Sequence, residues 1–214
     1  MPYELSPEEA RVLGALSEKD MMTPEYYPMS LNALTNACNQ KTNRDPVTAF
    51  DDATVRDALH LLRDRGLAAF VSEAGSRVEK YRHKLAERFN FTRGEQAVLT
   101  VLLLRGPQTA AEIRDRGSRM APLDDLETVM HTLERLAARE PDPLVRLLPK
   151  APGTKEPRWA HLMCGKPVYQ PQQEAQHATG AAPGLLERIT QLERELAQLR
   201  AEFDALRAKV EPLL

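Results

Sequence analysis

One apolar pattern occurs twice in this chain, and this repeat limits the possible folds more than any other feature of the sequence. Spacings of three and four residues place the apolar members of each copy on one face of a helix. The matched positions are offset by 86 residues in the first helix and by 74 in the third, so the first copy is about twelve residues longer. The sequence therefore predicts two related helical modules. The matches are Glu9, Val12, Leu13 and Leu16 with Glu95, Val98, Leu99 and Leu102, and Val55, Leu59 and Leu62 with Val129, Leu133 and Leu136.

The first module carries start signals for three helices and then two strand-like runs. A hydroxyl cap followed three residues later by glutamate is a capping box, and an aspartate is an equally good helix start. Three helices followed by a β-hairpin form the winged-helix layout, which is the fold that we predict. The helix starts are Ser6, Ser30 and Asp51 or Asp52, and the strands are residues 67–71 and 78–85.

The second module repeats this layout after residue 91. Trp159 opens its last strand, where a lone tryptophan either stacks on a base or packs against its own domain; we expect it to pack. The predicted helices begin at Thr92 and at Thr109 and span residues 123–139, and the strands are residues 144–148 and 158–163.

Two stretches in the first module resemble one known family. They read L-S-P-E-E-A-R-V-L-G-A-L at residues 5–16 and S-L-N-A-L-T-N-A-C-N-Q-K-T-N-R-D-P at residues 30–46. Both are similar to the YceH-like family of uncharacterised bacterial proteins, and the similarity extends over residues 3–163 and the C-terminal heptads. The resemblance implies tandem winged helices in a soluble bacterial protein, and it implies no substrate or reaction.

The charge pattern argues against reading of DNA bases by the third helix of either module. The net charge is −2, and no region of the chain is strongly basic, as a dedicated nucleic-acid-binding domain usually is. At 100° per residue, each third helix turns two carboxylates away from its apolar face, where phosphates would repel them. The outward positions are Ala53, Asp57, His60 and Asp64 in the first module and Glu127, His131, Glu134 and Ala138 in the second.

A polar loop and a basic strand in the first module are the remaining candidates for phosphate contacts. Two interpretations stay open. The loop asparagines can instead fix turns, and the basic strand can instead protect a sheet edge from pairing. The candidate DNA-contact residues are Lys41, Thr42, Asn43, Arg44, Arg56, Arg63, Arg77, Lys80 and Arg82.

The motifs that mark most enzymes are missing from the sequence. We find no glycine-rich phosphate loop, nucleophile elbow or paired metal-ligand motif, and His161 with Cys164 would supply only two zinc ligands. We therefore expect a protein that is not an enzyme and holds no metal or cofactor. Because no apolar run approaches the roughly 18 residues of a spanning helix, we also expect a cytoplasmic protein without membrane contact.

The C-terminal region predicts a linker at residues 165–183 and a coiled-coil helix at residues 184–211. Apolar residues there alternate spacings of four and three, with leucine at every d position, which favours a parallel dimer. The flanking pairs Arg188 with Glu193, Glu195 with Arg200, and Glu202 with Arg207 would attract across that dimer. The alternative is that the helix packs on its own modules. The dimerisation residues are Leu185, Ile189, Leu192, Leu196, Leu199, Phe203, Leu206 and Val210.

Together these patterns predict a mainly α protein with small β-hairpins. It would contain winged-helix domains at residues 1–88 and 89–164, followed by the linker and the coiled-coil helix. The predicted function is double-stranded DNA binding of the kind seen in transcription regulators. The alternative is an adaptor that binds an unknown protein partner, similar in plan to the tandem winged-helix partners of chromosome-segregation complexes.

Overall fold

Helices and short antiparallel strands alternate along the computed structural model, which describes residues 4–71, 78–150 and 156–165. Within those ranges each copy of the repeat forms three helices and then a hairpin, which confirms the predicted mixture of helices and small sheets. Arg77, the linker from residue 166 and the 184–211 helix lie outside the described residues. The helices are α1 (Pro7–Met22), α2 (Leu31–Cys38), α3 (Asp52–Asp64), α4 (Leu85–Phe89), α5 (Arg93–Arg105), α6 (Ala110–Gly117) and α7 (Leu126–Ala137). The strands are β1 (Met29–Ser30), β2 (Ala68–Val71), β3 (Lys80–His83), β4 (Val145–Leu147) and β5 (Trp159–His161).

The predicted capping boxes begin the first helix of each copy. The Ser6 hydroxyl accepts a hydrogen bond from the Glu9 amide at 3.2 Å, and the Glu9 carboxylate accepts one from the Ser6 amide at 2.8 Å. Thr92 and Glu95 form the same pair of bonds at 3.3 and 2.8 Å. Each box satisfies two amides that the first turn of a helix leaves without partners, so the helix start is specified locally.

The two first helices, α1 and α5, pack against each other in antiparallel fashion. The backbone of Gly14 lies against Leu104, and a Cβ added at Gly14 would come within 3.0 Å of the Leu104 side chain. Further along α1, the Ser17 hydroxyl lies 2.7 Å from the Thr100 hydroxyl. The absence of a side chain at Gly14 therefore permits the close approach of the helices, and one continuous hydrophobic core runs through both copies.

The sheet of the first copy has one strand more than the predicted hairpin. β3 pairs with β2, as predicted, and also with the two-residue β1, where Met29 lies opposite Tyr81. The second copy forms the two-stranded sheet β4–β5. A two-residue strand is too short to show a periodic pattern, so β1 was not predicted from the sequence.

At two of the predicted boundaries that differ from the structure, a side chain ends or begins the element. The strand expected to reach residue 85 ends at His83, because the His83 Nδ1 accepts a hydrogen bond from the Leu85 amide at 3.1 Å and Leu85 begins α4. The helix expected to begin at residue 123 begins at Leu126. The carboxylate of Asp125 accepts a hydrogen bond from the Thr128 amide at 2.6 Å and caps α7 at that point.

The faces predicted for the third helices are confirmed. The apolar residues that were predicted to face the core are fully buried, and the predicted carboxylates are exposed. Trp159 is only 6% exposed and packs in the core, as expected. None of the described helices combines the length and the apolar character that crossing a bilayer requires. The buried positions are Val55, Leu59 and Leu62 in α3 and Val129, Leu133 and Leu136 in α7.

Candidate nucleic-acid interface

The polar loop at residues 39–50, which joins α2 to α3, is held in place by Arg11, a buried residue of α1. The Arg11 guanidinium donates hydrogen bonds to the carbonyl of Cys38 at 3.2 Å and to the carbonyl of Pro46 at 2.6 Å. These carbonyls belong to the end of α2 and to the middle of the loop. Since the last carbonyls of a helix have no partner within it, Arg11 satisfies one of them and fixes the path of the loop.

Arg44 forms a second anchor, and this changes its predicted role. Its guanidinium makes a bidentate ion pair with Glu18 of α1, with N–O distances of 2.6 and 3.1 Å, and its Nε donates to the Ala37 carbonyl at 3.0 Å. None of the Arg44 side chain is exposed. We therefore remove Arg44 from the candidate DNA contacts, because its donors are used to hold the loop against α1.

The loop asparagines also fix turns, which is the structural interpretation that the sequence left open. The Asn39 side-chain amide donates a hydrogen bond to the Phe50 carbonyl at 2.7 Å, and its oxygen accepts one from the Phe50 amide at 2.8 Å. Asn43 has a positive φ of 61°, and its side-chain oxygen accepts a hydrogen bond from Arg105 of α5. Lys41 and Thr42 lie at the exposed tip between them. The loop therefore presents Lys41 and Thr42 on a backbone that is held by hydrogen bonds.

Beside this tip lies a groove that the sequence did not predict. It has a volume of about 240 Å³ and is bounded by the end of α1 and the loop on one side and by α5 and the end of α6 on the other. Four basic side chains line it, and only two acidic ones do. We call it the cationic groove; its basic residues are Lys19, Arg105, Arg116 and Arg119.

The two acids of the cationic groove are already neutralised by arginines. Glu18 pairs with Arg44, and Asp115 pairs with Arg114 at 2.8 Å. The basic residues have weaker partners, since Lys19 lies 3.8 Å from Glu18 and Arg116 lies 3.7 Å from Glu112. The groove is therefore positively charged.

Arg105 shows how closely these positive charges are placed. Burial lowers its pKa below the ordinary arginine value, and the positive charges of Arg116 and Arg44 lower it further, while the nearby carboxylates of Glu18 and Asp45 raise it in part. A bound anion would relieve this repulsion, and guanidinium groups suit phosphate because they donate two parallel hydrogen bonds to it. The arrangement favours the binding of phosphate groups at Arg105 and Arg116.

The predicted contacts on α3 and β3 do not join the cationic groove. Arg63 pairs with Asp64 at 3.3 Å and lies 4.7 Å above the ring of Phe70, while Arg82 forms an ion pair with Glu87. Two further candidates, Arg56 and Lys80, are exposed on α3 and half-buried on β3, respectively. Since Arg63 and Arg82 are paired with carboxylates and Arg56 shares α3 with Asp57 and Asp64, this surface of the first module is electrostatically mixed.

The pair His161 and Cys164 gathers no third metal ligand among residues 4–71, 78–150 and 156–165. Burial lowers the pKa of His161 to about 4, so its imidazole is neutral at physiological pH. Cys38 is also buried, which raises the pKa of its thiol to about 12. A buried neutral imidazole and a buried protonated thiol lack the accessibility and reactivity of a catalytic acid or nucleophile.

Comparisons with known proteins match this chain to one family and to relatives of similar length. A family described as "Protein of unknown function, DUF480" matches residues 5–154. The chain is 47% identical to a UPF0502 protein of Solibacter usitatus, over 99% of this chain and 100% of the relative. It is 51% identical to a UPF0502 protein of Citrifermentans bemidjiense, over 92% and 90%, and 44% identical to one of Vibrio parahaemolyticus, over the full length of both.

Proposed function

Because this chain belongs to the DUF480 family, as the resemblance in its first module predicted, and because that family has no known function, we propose a function from the chain's own surface. We propose that it is a tandem winged-helix protein that binds DNA through phosphate contacts. The observation that carries this proposal is the cationic groove beside the loop tip, where four basic side chains face two acids that are already paired. The helix-helix-helix-hairpin order of both copies supports the winged-helix assignment.

The proposed binding follows the backbone of DNA and does not read base pairs in the major groove. Lys41 at the loop tip and the four basic residues of the cationic groove provide five cations for phosphates. By contrast, α3 and α7 expose carboxylates, such as Asp57 and Glu134, where a reading helix would carry arginine or asparagine. Phosphate contacts position a protein without selecting a sequence, so we expect weak sequence preference. This role is non-enzymatic, requires no cofactor and is exercised in the cytoplasm.

A protein-binding adaptor is the second candidate, and the outward faces of the third helices favour it. Leu61 of α3 is 48% exposed, and Leu126 of α7 is 45% exposed. Each lies among carboxylates, with Asp57 and Asp64 on α3 and Glu127 on α7. An exposed apolar side chain beside carboxylates suits a partner that combines an apolar centre with basic residues at its edge.

The Lys41→Ala variant tests the proposed DNA contact at the loop tip. Lys41 is exposed and carries no part of the loop's anchoring network, so the melting temperature should stay unchanged. Loss of one phosphate contact should reduce the salt slope of duplex binding by about 1 and weaken binding at low salt. Fluorescence anisotropy of a labelled duplex measures both. Arg146→Ala, which removes an exposed cation from β4, is the control and should bind as the unmodified chain does. An unaltered affinity in Lys41→Ala would exclude the loop tip from the interface.

We also propose that the chain dimerises through the predicted heptads at residues 184–211. Leu199 is a d position at the centre of those heptads, and proline there removes a backbone donor and breaks a helix. The unmodified chain should sediment as a dimer, and Leu199→Pro should sediment as a monomer with an unchanged circular-dichroism melting transition of the globular part. A dimer mass that survives the substitution would contradict the coiled coil.

A further inference from the structure

The cationic groove has an apolar floor, which phosphate contacts alone would not require. Three apolar side chains at its base are almost fully buried: Val101, Leu104 and Met120 are exposed by 3, 2 and 6%. Met22, the last residue of α1, also lines the groove and is 40% exposed. The groove therefore presents a cationic rim above an apolar surface whose accessible part is mainly Met22.

That combination matches the two parts of a nucleotide. A phosphate suits the arginine rim, while the flat face of a base is an apolar surface that gains from contact with a polarisable thioether. In a continuous duplex, neighbouring base pairs cover both faces of every base, so a base can reach such a floor only when it is unpaired. A phosphate without a base would leave Met22 in water.

We propose that the cationic groove is a subsite for one unpaired nucleotide of a DNA strand. Its phosphate and those of its neighbours in the strand lie against Arg105, Arg116 and Arg119, and its base lies against Met22. This inference rests on the proposed DNA binding and adds that the protein prefers a duplex with a single-stranded tail to a blunt one. The loop tip at Lys41 borders the groove through Asn43, so the paired and unpaired parts of one DNA molecule can be bound together.

Three labelled DNA molecules test the subsite with the full-length chain. All contain the same duplex: the first is blunt, the second has a short single-stranded tail, and the third has the same tail made of abasic nucleotides, which keep the phosphates and lack the bases. In anisotropy titrations at one salt concentration, the base-bearing tail should bind up to about tenfold more tightly than the abasic tail, which is the upper end of the gain expected from one contact between a thioether and an aromatic ring.

Equal affinity for the two tails would overturn the subsite, because it would show that phosphates alone are recognised. Equal affinity for all three molecules would also overturn the subsite. If that binding weakened with increasing salt, the proposed DNA binding would still stand. Absence of binding to every molecule would remove both proposals.

A matched pair of variants ties the effect to the floor of the groove. Met22→Ser should remove the preference for the base-bearing tail and leave the affinity for the abasic tail unchanged. Leu147→Ser, which alters a similarly exposed apolar residue on β4, should keep the full preference. An undiminished preference in Met22→Ser would contradict the assignment of the base to this floor. Because both side chains are partly exposed, urea denaturation should show folded protein in each case.

Discussion

Replacing Arg44 by alanine is expected to lower the free energy of unfolding by about 3 to 5 kcal/mol, since the substitution leaves a largely buried carboxylate without its partner. Glu18, whose side chain is only 13% exposed, would lose both N–O contacts. The Ala37 carbonyl at the end of α2 would lose its donor as well. Urea denaturation followed by circular dichroism measures the change.

Lys41→Ala is the matched control for this measurement, because it removes a cation from the same loop without touching the anchors. Exposed substitutions of this kind change stability by about 0.5 kcal/mol or less. Arg44→Ala therefore tests how the loop is held in place, and Lys41→Ala tests DNA binding, although both residues lie in the same loop. If Arg44→Ala kept full stability and instead lost DNA affinity, the buried ion pair with Glu18 would be wrong and Arg44 would return to the set of DNA contacts.

The largest expected effect on binding comes from the combined variant Arg105→Gln, Arg116→Gln and Arg119→Gln. Removing three phosphate contacts should reduce the magnitude of the salt slope by about 3 and weaken duplex binding at low salt by about 100- to 1000-fold. Glutamine keeps much of the side-chain length and can still bond to Asn43, so the groove should keep its shape. Anisotropy titrations at several salt concentrations give both quantities.

A second triple variant provides the comparison, with Arg56→Gln, Arg63→Gln and Lys80→Gln on the α3 and β3 surface. It removes the same formal charge from the candidates that the sequence indicated. We expect it to bind more tightly than the groove variant, although general electrostatic attraction will fall in both. A greater loss in the α3 and β3 variant would move the interface to that surface.

Local signals were sufficient to predict most of the helices and hairpins. The capping glutamates Glu9 and Glu95 stand at matched positions of the repeat. Each also forms an ion pair with an arginine in or directly after the third helix of its own copy, Glu9 with Arg65 at 2.8 Å and Glu95 with Arg135 at 3.3 Å. A side chain within three residues of a helix start and a regular apolar spacing are visible in one sequence. The errors arose where a side chain replaced a backbone partner, as His83 does for the amide of Leu85.

The candidate site was less predictable, because it depends on residues that are distant in the sequence. Lys19, Arg105 and Arg119 come from α1, α5 and the segment after α6, and only the antiparallel packing of α1 against α5 brings them together. The net charge of a region does not reveal this cluster of basic residues, since residues 92–163 contain almost as many acidic as basic side chains. For Arg44, composition alone could not reveal that its donors are taken by Glu18 and by α2.

The salt dependence of duplex binding by the unmodified chain tests the central claim most directly. Anisotropy titrations from low to physiological salt give the slope of log affinity against log salt concentration. Five cations on phosphates predict a slope of about −4 to −5 for each bound chain, because each contact contributes about −0.9. Absence of binding at the lowest salt, or an affinity that does not vary with salt, would contradict phosphate recognition and leave the exposed leucines of α3 and α7 as the surface to pursue.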